Sequence, residues 1–428
     1  MSPMATPECL YIGDDFTGAS DTLATYGRGG LKTRLFLEPP SAAEISGLNA
    51  IGIATALRSL SRGRISEELN RMLPALAASG ARYFHYKTCS TFDSSPDIGS
   101  IGAAVTAMST HLEPALILIL GGQPSLGRYC AFGHLFARTF GGDIHRIDRH
   151  PVMARHPVTP MHESDLRMHL ARQGLADISL ITAPEIDQGT APIIERLSAS
   201  TLSGGRIFLF DTVRQDHVAA FGEILHGLSV ERPLLLVGAS GVAEALTGAD
   251  QGPTIPHVRN QDKHCRLPTF VFAGSRSSVT RSQVFAARAF HRLPLGPHAM
   301  SDPDQLQSFI DEGRGHLSNG TNLLAHLLPE VDYRQSPEDL AERSAHFVAG
   351  VAEGLELAGL GIAGGDTSSI ATRRLGVRSL SYLGDADRGV AICRAQTSDT
   401  SMMLMLKGGQ MGGEDLFDRF AFVPPLKQ

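Results

Sequence analysis

The residues best equipped for chemistry stand together near the amino terminus, in Leu10-Tyr11-Ile12-Gly13-Asp14-Asp15-Phe16-Thr17-Gly18-Ala19-Ser20-Asp21. A short apolar run stops at Gly13, two adjacent carboxylates follow, and small residues suited to opening a helix come next. In open α/β sheets, ligands bind beyond the carboxyl ends of the strands. Two acids in that position can take a proton from a substrate hydroxyl, hold a metal, or do both. The plainer alternative is a helix cap with an acidic neighbour, for which one Asp suffices.

A second polar cluster is Tyr86-Lys87-Thr88-Cys89-Ser90-Thr91-Phe92-Asp93-Ser94-Ser95, between a strand pattern and the helix that opens near Gly99-Ser100-Ile101-Gly102. One cation, one acid and a run of hydroxyls suit a polyhydroxylated ligand; a solvated capping loop is the alternative. Arg58 follows the strand pattern 50–54, and an arginine can fork onto a carboxylate with two parallel bonds. In Arg155-His156-Pro157-Val158-Thr159-Pro160-Met161 two prolines fix the loop. His150 and His156 lack a third ligand at suitable spacing, so a metal pair there is not expected, and Arg128 reads as structural.

Three glycine turns recur in the second half. Gly274-Ser275-Arg276-Ser277-Ser278, Gly364-Gly365-Asp366-Thr367-Ser368 and Lys407-Gly408-Gly409-Gln410-Met411-Gly412-Gly413 each follow an apolar strand pattern. Glycine lets a backbone approach a phosphate closely, and a helix N-terminus offers free N–H groups and partial positive charge. Three such turns point to nucleotide binding. The usual signatures are absent. Gly27-Arg28-Gly29-Gly30-Leu31-Lys32-Thr33 lacks the glycine before the lysine of a phosphate-binding loop and lies between a helix and a strand, and no GxGxxG follows the first strand.

Elements able to position these groups alternate along the chain. Strand patterns fall at 8–13, 33–37, 50–54, 82–86, 115–120, 178–182, 206–210 and 233–237, with helical patterns between them. After a Gly/Pro-rich stretch at 248–268 the alternation resumes, with strands at 269–273, 295–299, 321–325, 359–363, 378–382 and 402–406 and helices at 279–291, 303–313, 336–357 and 367–375. This grammar predicts α/β architecture with mostly parallel sheets. The break predicts two domains, 1–250 and 251–428. At 428 residues the chain is too long for one ordinary core. A net charge of −6, with no basic block, argues against nucleic-acid binding. No apolar stretch approaches the roughly 20 residues of a membrane helix, and no signal segment is expected. Five scattered cysteines without CxxC spacing fit a reducing, cytoplasmic setting.

Taken together these motifs resemble the four-carbon acid sugar kinase family, in the family's order and over nearly the whole chain. The matching pieces are Asp14–Asp21, Tyr86–Ser94, Arg155–Met161, Ala363–Ser368 and Lys407–Gly413. The resemblance implies an N-terminal sugar-acid domain and a C-terminal nucleotide domain facing a shared cleft. It implies ATP with Mg2+, and phosphorylation of the terminal hydroxyl of erythronate, threonate or a 3-oxo-tetronate. It puts Asp14, Arg58 and Lys87 with Ser90, Thr91 and Asp93 on the acid-sugar side, with Asp15 or Asp14 as catalytic base. Ser275, Gly364, Gly365, Asp366, Thr367, Lys407, Gly408, Gly409 and Gly412 fall on the nucleotide side. The metal ligands stay unassigned, and a homodimer is allowed. Two departures stand out: the family often has Gly-Ser-Cys-Ser where this chain has Gly274-Ser275-Arg276-Ser277, and Lys-Ser-Gly-Asn-Phe-Gly where it has Lys407-Gly408-Gly409-Gln410-Met411-Gly412. The segment Asp93–Gly102 is similar to a subgroup acting on branched acids such as 3-oxo-isoapionate. A dehydrogenase or aldolase would need a dinucleotide fingerprint or metal cluster. A sensor that binds nucleotide without turnover is the non-enzyme alternative.

Overall fold

Runs such as Leu116-Ile117-Leu118-Ile119-Leu120 and Leu234-Leu235-Leu236-Val237 can bury both faces only in a sheet covered by helices on each side. The computed structural model describes residues 6–139, 141–203, 206–248, 267–387 and 389–421, and in it these runs are fully buried strands. The chain forms two compact units, Met1–Gln251 and Gly252–Gln428. Most of the 248–268 stretch lies outside the described residues.

In the first unit the strands are β1 (Cys9–Gly13), β2 (Thr33–Phe36), β3 (Ala50–Ala54), β4 (Tyr83–Lys87), β5 (Leu116–Leu120), β6 (Arg128–Ala131), β7 (His134–Arg138), β8 (Ile144–Arg146), β9 (Ser179–Ile181), β10 (Ile207–Phe210) and β11 (Leu234–Gly238). The main sheet runs β2-β3-β1-β4-β11-β5-β10-β9, with every pairing parallel. The chain leaves β1 toward β2 on one side and leaves β4 toward β5 on the other. The neighbouring strands β1 and β4 therefore flank a topological switch point, where open α/β sheets bind ligands. Its core packs Ile12, Ile53, Phe84, Ile119 and Val237 with the helix faces of Leu69, Leu73 and Met108. The sequence pattern did not foresee the small antiparallel sheet β6-β7-β8, whose strands carry Arg and His between apolar residues and lack a clean two-residue period.

The second unit holds β12 (Thr269–Ala273), β13 (His291–Leu295), β14 (Leu323–Leu327), β15 (Gly359–Ala363), β16 (Ser379–Asp387), β17 (Val390–Gln396) and β18 (Ser401–Lys407). Their order is β13-β14-β12-β15-β18-β17-β16. The first five are parallel; β17 and β16 complete the sheet antiparallel. The chain leaves β12 and β15 in opposite directions, so these neighbours form a second switch point. Two expectations shift here. The helix expected over 279–291 ends at Ala286, and the strand expected at 295–299 is β13, followed by the helix Pro297–Ser301. Pro294 lies inside β13, which its edge position permits. Strand β17 was not anticipated; it pairs with both β16 and β18. Among the described residues no helix is long and apolar enough to cross a membrane, and Cys9, Cys89, Cys130 and Cys393 are free thiols.

Candidate functional site

Parallel register aligns the carboxyl ends of the central strands of the first unit. Gly13 pairs with Ala54 on one side and with Lys87 on the other, and Lys87 pairs with Gly238. Whatever follows these positions must emerge at one edge. Asp14, Asp15 and Arg58 emerge there beside Lys87, the last residue of β4. The Asp14 N–H donates to the Lys87 carbonyl at 3.0 Å, and the Arg58 N–H to the Asp14 carbonyl at 2.9 Å.

The side chains then interlock. Arg58 grips the buried Asp14 with a fork: Nε reaches Oδ2 at 3.1 Å and Nη2 reaches Oδ1 at 2.8 Å. Its third nitrogen, Nη1, meets Asp15 Oδ2 at 2.8 Å. Asp15 also caps the helix Phe16–Arg28, its Oδ1 accepting from the Gly18 N–H at 2.7 Å. The capping role weighed from sequence is thus present, and it occupies one oxygen of the more exposed acid. Burial raises the Asp14 carboxyl above its ordinary range, although Arg58 and Lys87 pull it down. For Arg58 burial acts to lower the pKa, but Asp14, Cys89 and Asp15 outweigh it and the guanidinium is held above its usual value.

Lys87 is buried, yet its ammonium has no hydrogen bond or ion pair among the described residues. The helix makes room for it. A Cβ placed on Gly18 would collide with Lys87 Nζ and crowd Asp15 Oδ1. Glycine at position 18 thus leaves the space that the Lys87 ammonium fills, which the sequence alone did not reveal. Beyond Lys87, Thr91 Oγ1 donates to Asp93 Oδ1 at 2.7 Å and contacts Cys89 Sγ at 3.0 Å. Burial, then Asp93, pushes the Cys89 thiol up to about 11, so it stays protonated. Ser90 is half-buried. The loop is braced further on, where Ser94 Oγ meets His169 Nε2 at 2.9 Å and accepts from Gln173 at 2.8 Å. Burial depresses His169 to about 4, which keeps it neutral. His156 accepts from the Thr159 N–H at 3.1 Å inside its own turn, a structural use of the Arg155–Met161 motif.

The second unit repeats the alignment. Ala273 pairs with Ala363, and Ala363 with Lys407. Gly274, Gly364 and Gly408 stand one step beyond that shared rung. The three turns are stitched together: Gly274 and Ser275 donate backbone N–H groups to the Ala363 carbonyl at 2.9 and 2.8 Å, and Gly364 donates to that of Lys407 at 3.0 Å. Gly364 has φ 137°, open to glycine but not to ordinary residues. It leads into the helix Gly365–Arg374, where Asp366 is exposed and Thr367 buried. The first-turn N–H groups of such a helix have no intrahelical acceptor. A Cβ on Gly409 would run into Ser275 Oγ.

The last glycine loop is held from below. Ser277, the N-cap of the helix Ser278–Ala286, and Thr280 in its first turn both donate to the Gly409 carbonyl, Thr280 at 2.8 Å. Gln283 Nε2 reaches the carbonyls of Met411, Gly412 and Gly413 at 2.9–3.0 Å. Lys407 is buried and donates to Thr280 Oγ1 at 2.9 Å and to the Gly408 and Gly409 carbonyls at 3.1 and 3.3 Å. Burial lowers its ammonium to about 8. Lys407 thus shapes the loop from beneath, and Thr280 and Gln283 are partners that sequence reading missed. The signal was there: Ser277-x-x-Thr280 is a capping pattern directly after a glycine turn.

A family model described as "Sugar-binding N-terminal domain" matches residues 9–246, and one described as "Nucleotide-binding C-terminal domain" matches residues 270–417. The 3-oxo-isoapionate kinase of Paraburkholderia graminis is 33% identical, over 95% of this chain and 92% of its own length. The 3-oxo-tetronate kinases of Pectobacterium atrosepticum and Burkholderia multivorans are each 30% identical over 95% of this chain, and 97% and 95% of theirs. This chain belongs to the four-carbon acid sugar kinase family. A crystal structure from Salmonella typhimurium LT2 shares the fold at a TM-score of 0.79 and 25% identity, covering 97% of this chain and 98% of that one. Haemophilus influenzae protein HI1011 does so at 0.76 and 24%, covering 96% and 98%.

Within this acid sugar kinase, Asp14, Asp15, Arg58 and Lys87 form one connected charge cluster. Thr91 and Asp93 form a second pair on the adjoining loop. Ser275, Gly364, Lys407, Gly408 and Gly409 are joined through their backbones and through Ser277 and Thr280. Gly412, with φ 82°, is fixed by Gln283.

Proposed function

We propose that this protein transfers the γ-phosphoryl group of ATP to the terminal hydroxyl of a 3-oxo acid sugar, of the four-carbon 3-oxo-tetronate type. The observation that carries the reading is the Asp14–Arg58–Asp15 cluster beside an unpaired buried Lys87 at a switch point of a sugar-binding unit. The 33% identity to a 3-oxo-isoapionate kinase favours a second acceptor, the branched acid, which shares the 3-oxo carboxylate chemistry.

Phosphoryl transfer asks a protein chiefly for positioning and charge neutralisation. ATP supplies the phosphoryl group, and Mg2+ the positive charge that screens its oxygens. Gly365, Asp366 and Thr367 would present first-turn N–H groups to phosphate oxygens, and Gly364 and Gly409 would let the backbone come close. The exposed Asp366 carboxylate is suited to an ion that arrives with the nucleotide, since magnesium commonly takes one or two carboxylates along with phosphates. In the sugar-binding unit, Asp15 would accept the acceptor hydroxyl's proton. Both acids have their oxygens engaged, Asp14 by Arg58 and Asp15 by Gly18 and Arg58, but Asp14 is buried and Asp15 is the more exposed of the pair. Arg58 would keep the two carboxylates aligned, and Lys87 would hold an anionic or hydroxyl group of the acceptor.

The test is ADP release by the full-length protein with Mg-ATP against erythronate, threonate, their 3-oxo forms and 3-oxo-isoapionate. ADP release dependent on a 3-oxo acid is expected. Binding heat with nucleotide but no ADP from any acid would convert the reading to a sensor.

A further inference from the structure

Arg58 has all three guanidinium nitrogens engaged by Asp14 and Asp15. A substrate carboxylate therefore needs another fork. One lies on the same edge of the first unit. Arg128 opens β6, and two backbone bonds tie it to Gln123 on the segment leaving β5, at 2.9 and 3.1 Å. Two strand positions on, Cys130 bridges to Thr212 just past β10. The hairpin tip following β6 is pinned by the buried Asp211, which accepts from the Phe132 and Gly133 N–H groups at 2.7 and 2.8 Å. Strand β6 thus stands over the carboxyl ends of the sheet, as Asp14 and Lys87 do.

The Arg128 side chain is fixed on one side only. Nη1 donates to the carbonyls of Leu126 at 2.9 Å, Arg138 at 3.3 Å and Gly127 at 3.4 Å. Nη2 has no acceptor among the described residues, and Nε is buried without one. No carboxylate lies within ion-pair distance among the described residues, whereas Arg58, Arg146, Arg167 and Arg419 each have an aspartate. The Cys89 thiol lies within electrostatic reach of both Arg128 and Arg58, so this guanidinium and the acid pair share the loop after Lys87 as a neighbour. Burial lowers the Arg128 pKa, and Cys89 and Tyr129 offset it only in part.

We propose that Arg128 is the carboxylate-recognising residue of the sugar-binding unit, receiving the acceptor's carboxylate on Nη2 while Asp15 addresses the far hydroxyl. A held, half-desolvated guanidinium with Nη2 unpaired is matched by an anionic carboxylate and poorly matched by a neutral group. The assignment rests on the acid-sugar reading above for its ligand, though not on turnover.

The experiment measures binding by calorimetry without nucleotide, using a 3-oxo-tetronate and its neutral carboxamide, and then ADP release with both. In wild type the acid binds more tightly than the amide. Arg128→Gln weakens the acid by roughly 10- to 100-fold, the range for losing a hydrogen bond to a charged group, and leaves the amide unchanged. Arg128→Lys recovers part of the difference. In turnover the loss appears in KM, with kcat held within a few-fold. Equal weakening of acid and amide, or none for the acid, overturns the assignment; the Arg128→Lys variant decides should the glutamine protein not fold. Acid binding that depends on Arg128 without ADP release would retain this residue's role and refute the kinase reading. Absence of acid binding to wild type would remove both.

Discussion

At the residue scale, two substitutions separate chemistry from architecture. Asn is as good a helix cap as Asp, so Asp15→Asn can keep the bond to Gly18 while it removes the charge and the half-exposed pairing with Arg58, a kind of pair worth little to stability. We expect kcat to fall roughly 10²- to 10⁴-fold, the range for general acid–base help, with the melting temperature little altered. ADP release and a thermal melt check this, and near-normal turnover would remove Asp15 as the base. Gly18→Ala runs the other way. Alanine in a helix is ordinarily favourable by about 1 kcal/mol over glycine, but here its methyl would displace Lys87 Nζ. The melt should show no such gain, and kcat/KM should drop at least about tenfold. A stabilised, fully active alanine variant would show that Lys87 is not needed in its observed place.

At the element scale, each of the two sheets has its switch point where the motifs fall: β1 and β4 in one, β12 and β15 in the other. The glycine loop after β18 depends on a buried lysine, and this has a pH consequence. Burial lowers Lys407 to about 8 from its ordinary 10.5. Between these values the unfolded chain binds the extra proton, so stability attributable to this group rises as pH climbs from 8 to 10.5; below 8 the desolvation cost is fully present. Nucleotide affinity should move oppositely, because a triphosphate favours the charged ammonium. Titration of an inert ATP analogue from pH 7 to 9.5 should show weakening above about pH 8, absent in Lys407→Met. Thr280→Val removes the donor to Gly409 and the acceptor for Lys407. It should cost about 1–3 kcal/mol in denaturant unfolding and raise KM for ATP.

At the scale of the whole molecule, the two units have separate cores, one centred on Ile12, Ile53 and Val237 and the other on Val271, Leu324 and Met405. Separate cores with separate switch points imply separable binding. An inert ATP analogue at about 100 times its Kd should stabilise the protein by about 2.7 kcal/mol without any acid sugar present. That gain should persist in Asp15→Asn and vanish in Gly409→Val, whose side chain would meet Ser275. Loss of nucleotide stabilisation in Asp15→Asn would contradict this division of labour.

The sequence by itself determined the strands and the places where chemistry could sit. Apolar runs closed by Gly13, Gly238, Gly274 and Gly364 mark strand ends whatever surrounds them, because burial on both faces and a turn residue are local requirements. Tertiary structure alone decided the partners. Arg58 read as a free fork for substrate, but strand register 44 residues away in sequence delivers it to Asp14. Lys407 read as a nucleotide-side group, and packing sets its ammonium against Thr280 and its own glycine loop. Arg128 read as a structural group, and the unforeseen β6-β7-β8 sheet places it over the binding edge with Nη2 unpaired among the described residues. A residue's type fixes which bonds it can make; only the fold fixes which of them are already taken.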